Sequence, residues 1–306
     1  MLLTLAIPTY NRREIVCDNL NNIIESRLNY IAQILIIDNC SSDGSFDYLT
    51  EISAGEPNIS ILRNNSNIQL FGNVLAVLES TKTKYVQINP DEDFFCIEGV
   101  KGLLEILDGD SPDFISGSVV LNNGDLYRRR SGKICADGIR KSSNYGSAVV
   151  YNMDSIKNII DLLYEYKNNE LIWLYPMYAA ALFIFLKGGI CLDIPKILSE
   201  KKHHVETDIQ GTAGEKYYHI ESRIKQIRSE IELFQSLSAR DDIELNTVKL
   251  KEWHEKELSM ILDLLVSSLK MEKHPEIYRY FLHGLKISRS PFKQPLEMIK
   301  KIYRPR

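Results

Sequence analysis

Leu2-Leu3-Thr4-Leu5-Ala6-Ile7-Pro8-Thr9-Tyr10-Asn11 is a short apolar run that meets a proline and then turns polar. A run of that length, stopped in that way, suits a buried β-strand. Residues 12–28 follow with Ile15, Leu20, Ile23, Ile24 and Leu28 near helical spacing. The alternation then repeats. Ile34 to Ile37 reads as a strand stopped by Asp38-Asn39, Ser45 to Ile52 as a helix, and Ile59 to Leu62 as a strand before the polar run Arg63 to Asn67. Gly72 to Ser80 reads as a helix, and Tyr85 to Ile88 as a strand stopped by Asn89-Pro90-Asp91. Strands alternating with helices predict an α/β fold: a mostly parallel sheet flanked by helices. Ligands of such sheets sit beyond the carboxyl ends of the strands. Pro8-Thr9-Tyr10-Asn11, Asp38-Asn39 and Asp91-Glu92-Asp93 are therefore expected on one rim.

Farther on, Phe114 to Leu121 and Ala148 to Tyr151 are strand-like and flank a polar, glycine-rich loop. Ser155 to Tyr166 and Leu171 to Leu186 read as helices, and Ile190 to Ile194 as a last strand. Leu171 to Leu186 is short for a membrane span and holds Pro176, so a buried helix is expected. Ile220, Ile224, Ile227, Ile231 and Leu233 mark one long helix, Leu250 to Leu269 another, and 274–303 one or two more. We expect a catalytic domain over 1–210 and a C-terminal helical domain over 211–306, divided at Gly211-Thr212-Ala213-Gly214.

The 306 residues are 44% hydrophobic and 25% charged, with net charge −4, which argues against a general nucleic-acid binder. Five unpaired cysteines read as reduced thiols in a cytoplasmic protein, and the N-terminal run carries no targeting signal. No G-x-G-x-x-G follows the first strand, no G-x-x-x-x-G-K-[ST] occurs, and there is no G-x-S-x-G elbow. Dinucleotide binding, P-loop chemistry and α/β-hydrolase chemistry are thereby disfavoured.

What remains is acidic. Carboxylates at i and i+2, such as Asp91 and Asp93, reach one hard cation through oxygen ligands. A divalent ion held there neutralises a diphosphate and stabilises it as a leaving group. The bland alternative is a solvated acidic turn. Asp38 offers an acceptor for a base N–H or a ribose hydroxyl, or else caps the Asn39-Cys40-Ser41-Ser42-Asp43 loop.

Three stretches in order, Ala6-Ile7-Pro8-Thr9-Tyr10-Asn11-Arg12, Ile36-Ile37-Asp38-Asn39-Cys40-Ser41-Ser42-Asp43-Gly44-Ser45 and Tyr85-Val86-Gln87-Ile88-Asn89-Pro90-Asp91-Glu92-Asp93, resemble glycosyltransferase family 2 of the GT-A fold, in its bacterial surface-polysaccharide branch. The resemblance is strong over 1–95 and weaker to about 205. It implies a nucleoside-diphosphate sugar donor, UDP-linked for preference, a glycan or lipid-linked acceptor, Mn2+ or Mg2+, and inversion by direct displacement. Pro8, Thr9, Tyr10, Asn11 and Arg12 would line the nucleotide pocket, with Asp38 on the base, and Asp91, Glu92 and Asp93 would form the D-x-D turn, Asp91 and Asp93 reaching the metal. Where the family often has Asn-x-Gly, this chain has Asn67-Ile68-Gln69, with Gly72 and Asn73 nearby. Tyr145-Gly146-Ser147-Ala148 looks like the acceptor-side loop, Gly146 and Ser147 included. The family's Glu-Asp pair is missing; Glu170, just before Leu171-Ile172-Trp173, stands as the base, or as an ordinary first-turn acid. Trp173 is either an acceptor platform or core. His203 or His204 would add a metal ligand, or both are surface histidines. Against this stand two other readings: a degenerate binding or scaffold module, and a sugar nucleotidyltransferase.

Residues 284–306 are basic with interleaved apolar residues. They suit either peripheral contact with the inner face of an anionic membrane or a helix packed on its own domain. The C-terminal helices also offer a surface for homo-oligomer formation.

Overall fold

The computed structural model describes residues 1–109, 111–127, 130–143, 146–203, 216 and 219–272. His204, Tyr145, the 211–214 stretch, the expected helices over 274–303 and the tail 284–306 lie outside them.

The chain divides into two compact units, Met1–Lys167 with Tyr175–Thr207, and Asn168–Leu174 with Asp208–Arg306. The first opens as three βα repeats and a fourth strand: β1 (Leu3–Thr9), α1 (Arg13–Glu25), β2 (Gln33–Asp38), α2 (Ser45–Ile52), β3 (Ile59–Arg63), α3 (Gln69–Ser80) and β4 (Tyr85–Ile88). It continues through β5 (Asp93–Phe95), α4 (Ile97–Gly109), β6 (Phe114–Val120), β7 (Leu126–Tyr127), β8 (Gly132–Lys133), α5 (Ile139–Ser143), β9 (Val149–Asn152), α6 (Met153–Lys157) and α7 (Ile160–Glu165). α8 (Glu170–Leu174) belongs to the second unit; α9 (Pro176–Leu186) and β10 (Cys191–Lys201) return to the first. α10 (Ile220–Ser238) and α11 (Thr247–Glu272) complete the described second unit.

The strand order is β3-β2-β1-β4-β9-β6-β10-β5, with β7 on β6 and β8 on β10. β1 to β4 run parallel, as the alternation predicts. β9 lies antiparallel to both β4 and β6, and β5 antiparallel to β10, so the α/β sheet is mixed. β1 is buried along its whole length, which explains its unbroken apolar reading. α4 lies so close on β10 that a Cβ at Gly99 would stand 1.7 Å from the Ile197 carbonyl oxygen.

Three expectations change. The stretch from Ser155 to Tyr166 is two short helices, α6 and α7, parted at Asn158 and Ile159. The apolar run from Leu171 to Leu186 is not one helix. Pro176 starts α9, and Tyr175 takes φ −131° and ψ 63°, because the ring of a proline bars its predecessor from the helical region. Every residue of α9 is buried, and no described helix is long and apolar enough to cross a membrane. The last strand reaches Lys201, well past Ile194; register shifts between Asp193 and Ile197 carry it over Pro195.

In the second unit α8 docks on α10. The Asn169 amide group donates to the Ser229 carbonyl at 2.7 Å and the Glu170 N–H to Ser229 Oγ at 3.2 Å. α10 and α11 pack on one another around the buried Leu233, Leu237, Leu250, Trp253 and Ile261.

Candidate functional site: the carboxyl ends of β1, β2 and β4

Register brings the site together. Thr9 stands opposite Asp38, and Asp38 opposite Arg63, so β1, β2 and β3 end level with one another. The turn after β4 then folds back over the end of β1. Thr9 Oγ1 donates to Asp91 Oδ2 at 2.7 Å, and Arg12 Nη1 donates to Asp91 Oδ1 at 2.7 Å and to Glu92 Oε2 at 2.8 Å. The three polar clusters share one rim.

The acidic turn is braced from below. Asn19 Nδ2 donates to the carbonyls of Asp91 and Asp93, each at 3.0 Å. Asn89 Oδ1 accepts the Ala148 N–H at 3.0 Å and the Ser199 hydroxyl at 2.8 Å. Asp93 accepts a hydrogen bond from the Ser147 hydroxyl, which ties the turn to the 146–148 loop. That loop needs its glycine: Gly146 has φ +84°, and a Cβ there would meet Met177 Cε at 2.7 Å.

Burial dominates the electrostatics. Asp91 is almost completely enclosed, which pushes its carboxyl up to about 7; Arg12 pulls the other way and Glu92 adds to the rise. Burial lowers the Arg12 guanidinium, but Asp91 and Glu92 outweigh it and leave Arg12 above its ordinary value.

The loop 9–13 is latched to 41–43. Asn11, at φ +48°, donates its N–H to Ser41 Oγ and accepts the Ser42 N–H on Oδ1, both at 2.8 Å; Arg13 N–H donates to Asp43 at 2.9 Å. Burial raises the Asp43 carboxyl, yet bonds from the Ser45 hydroxyl and the Arg13 and Ser45 amides hold it below its ordinary value. Pro8 is buried, and Tyr10 is 42% exposed.

Asp38 is fully buried. Its Oδ2 accepts the Ser41 N–H at 3.0 Å and lies 3.4 Å from Arg63 Nε, while its Oδ1 has no hydrogen-bond partner. Asn67 does not stand alone as a contact residue: its Oδ1 accepts from Asn39 Nδ2 at 2.9 Å and from the Gln69 N–H at 2.8 Å. Gln69 takes φ +61°, the left-handed conformation that a glycine at this place supplies without strain. Gly72 and Asn73 lie in α3, and Asn73 donates to the Thr9 and Ile37 carbonyls.

His203 is placed by its N–H on the Glu92 carbonyl at 3.3 Å, but its ring turns to α1: Nε2 lies 3.0 Å from Asp18 Oδ2 and the ring packs on Phe94. Phe94 leaves β5 on the side opposite Asp93. Glu170 and Trp173 belong to the second unit. The Glu170 carboxylate is 2% exposed and accepts from the Ser222 hydroxyl at 3.4 Å; Trp173 is half-buried.

Among the described residues no three His, Cys, Asp or Glu side chains converge on one metal position. Asp91 is closed by Thr9 and Arg12, whereas Asp93 accepts a neutral hydroxyl. One carboxylate supplemented by substrate phosphates is an ordinary way to bind a hard divalent ion, so the donor set fits an ion that a diphosphate completes.

Asn19 and Asn89 escaped sequence reading. Asn19 had a visible signal, an amide on the buried face of α1 beside Val16, Cys17, Leu20 and Ile23.

The family model for glycosyl transferase family 2 matches residues 4–172, more than half of the chain. The chain belongs to glycosyltransferase family 2. It is a glycosyltransferase on a GT-A-like fold. No curated protein matches it. Among solved structures it is similar to S. aureus TarS 1–349 in complex with UDP-GlcNAc, at 12% identity and TM-score 0.66 over 93% of this chain and 80% of that one. It is also similar to the mannosyltransferase PcManGT from Pyrobaculum calidifontis in complex with GDP-Man and Mn2+, at 13% identity and TM-score 0.56 over 98% of this chain and 87% of that one. At such identities these neighbours speak for the fold.

Proposed function

We propose that this glycosyltransferase moves a sugar from a nucleoside-diphosphate donor, UDP-linked for preference, to a glycan or lipid-linked acceptor in cell-surface glycoconjugate assembly. The observation that carries the donor half is Asp38 Oδ1, a buried acceptor at the end of β2 with no partner of its own. A buried carboxylate oxygen left unsatisfied is costly, and a base N–H or ribose hydroxyl satisfies it. TarS with UDP-GlcNAc and PcManGT with GDP-Man support the same class of donor.

Asp93 is the residue that would hold a Mn2+ or Mg2+ ion against the diphosphate, and such an ion supplies Lewis-acid stabilisation of the leaving group. Asp91 has a different part: with Thr9 and Arg12 it fixes the turn that presents Asp93. Glu170 keeps its assignment as the base for inverting displacement on the sequence resemblance alone. Contact with an anionic membrane through 284–306 is part of this reading and rests on composition.

Calorimetric titration with a panel of nucleoside diphosphates, with and without Mn2+, tests the donor half. The expected result is tight binding of one nucleotide, strengthened by Mn2+. Asp93→Asn keeps the nucleotide contact and loses the Mn2+ increment; unchanged Mn2+ dependence removes Asp93 from the metal site. Glu170→Gln is expected to cut turnover while sparing donor binding, and full activity rejects it as base. Deletion of 284–306 is expected to lower binding to anionic vesicles.

A further inference from the structure

Asn39 sits beside Asp38 and uses its whole hydrogen-bonding inventory inside the protein. Its Nδ2 donates to Asn67 Oδ1 at 2.9 Å and to the Gln69 carbonyl at 3.3 Å. Its Oδ1 accepts from Asn64 Nδ2 and from the Ile68 N–H, each at 3.0 Å. Two donors and two acceptors are all that an asparagine side chain offers. Its backbone N–H donates to the Thr9 carbonyl at 2.9 Å. Three further asparagines extend the junction. Asn64 donates its N–H to the Asp38 carbonyl at 2.9 Å and its Nδ2 to Asn73 Oδ1 at 3.0 Å. Asn73 Nδ2 reaches the carbonyls of Thr9 at 3.5 Å and Ile37 at 3.4 Å, and Asn67 fixes the left-handed Gln69.

The junction therefore ties together the end of β1, the end of β2 on both sides of Asp38, and the 64–69 segment that leads from β3 into α3. None of its bonds is spare. The unpartnered Asp38 Oδ1 lies one residue away. Asn39 and Asn73 are buried at the centre of the junction, whereas Asn64 is half-buried and Asn67, Ile68 and Gln69 are exposed. A positioning group acts where the geometry of an acceptor must be held closely, and an asparagine with every side-chain bond satisfied is a device that holds it.

We propose that Asn39 is a positioning residue of the nucleoside subsite: it sets the 64–69 segment and the direction of Asp38, and so acts on the donor through Asp38 without touching it. This rests on the donor reading given above, in which Asp38 takes the nucleoside. The consequence is a division within one motif. Asp38 recognises, and the neighbouring amide, which by sequence is only the first residue of the loop after β2, aims it.

The test is a double-mutant cycle on the full chain, with Asp38→Ala, Asn39→Ala and the pair, read by calorimetric affinity for UDP and GDP in the presence of Mn2+ and by donor KM and kcat. Asn39→Ala is expected to weaken the preferred nucleotide about tenfold, the size of one lost hydrogen bond to a charged group. Donor KM is expected to rise more than kcat falls. In the Asp38→Ala background the same substitution is expected to cost less than about twofold, because residues acting through one contact are not additive. A loss from Asn39→Ala that is undiminished without Asp38 overturns the proposal, since a general loosening of the fold acts in either background. If Asn39→Ala does not fold, Asn67→Ala, which removes one acceptor of Asn39 Nδ2, is carried through the same cycle with the same criterion. Failure of the wild-type chain to bind either nucleotide overturns the donor reading, and this proposal with it; binding by wild type without coupling overturns this proposal alone.

Discussion

Thr9 and Asp91 are 82 residues apart in the chain and are joined by a 2.7 Å hydrogen bond in its interior, with the threonine hydroxyl donating to the carboxylate. Through it the end of β1 holds the acidic turn that follows β4. Arg12 takes the other oxygen of the same carboxylate, so one buried acid gathers two residues of the first loop.

Thr9→Val removes that hydroxyl at nearly constant volume. The buried carboxylate then keeps Arg12 alone among these two partners. An expected loss of about 1–3 kcal/mol follows from leaving a buried acceptor oxygen unsatisfied, measured as a lowered urea midpoint. Metal-stimulated nucleotide affinity should fall as well, because Asp93 rides on the same turn.

The Asp91 carboxyl sets a pH dependence. Burial pushes it up to about 7, above its value in an unfolded chain. Its contribution to stability is then complete below the unfolded value, near 4, and is lost as pH rises through about 7. Urea unfolding of the wild-type chain should show lower stability at about pH 8 than at about pH 5. Asp91→Asn, which cannot ionise, should reduce that slope to the share of Glu230, whose carboxyl burial also pushes up to about 7; an unchanged slope assigns all of it to other groups.

Gln69 pays a conformational cost at φ +61°. A non-glycine residue in the left-handed region costs roughly 1–2 kcal/mol, part of which glycine gives back through greater freedom of the unfolded chain. Gln69→Gly is expected to raise stability by several tenths to about 1 kcal/mol, and Gln69→Val to lower it. Chemical denaturation of the three proteins checks the order.

In the second unit His254 Nδ1 lies 2.6 Å from Glu230 Oε1, and the imidazole stacks on Phe234 with centroids 3.9 Å apart. Burial pushes the Glu230 carboxyl up to about 7, His254 lowers it, and Glu257 raises it further. His254→Ala removes the partner and should push Glu230 higher still, with a stability loss of about 1–3 kcal/mol. Carbonyl-region infrared difference spectra across neutral pH, compared with Glu230→Gln, report the shift directly.

The first four strands were legible because each is a short, mainly apolar run that ends in polar residues; burial on both faces keeps β1, β2 and β4 nearly continuous, while β3 at the sheet edge is only partly buried. The rim could be assembled from topology alone. β5, β7 and β8 were not legible: two or three residues carry no period, and antiparallel partners define them, the distant β10 for β5 and β8 and the preceding β6 for β7. The removal of α8 from the run that continues into α9 was equally hidden. Pro176 marked a weak point, but which unit the preceding turn joins is decided by Ser222 and Ser229, more than 50 residues later. Within the site, sequence expected Asp38 and the Asp91 turn on one rim, and register and hydrogen bonds bring both to Thr9. It did not show that Arg12 closes Asp91, or that Asn67 and Asn73 bond to other residues of the protein, because the partners of a side-chain amide cannot be read from its own position.

β10 sits between β6 and β5, with Lys201 opposite Asp93. It also supplies Ser199 and the Leu198 carbonyl to Asn89 and Gln87. The stretch that carries the family signature stops at residue 172, before this strand begins. A clone trimmed to that stretch would discard the strand that supports the acidic turn, leaving β5 without its strand partner and β6 with a raw edge. The smallest fragment worth expressing extends through Lys201, and insertions intended to leave the enzyme working should avoid the interval from Cys191 to that residue.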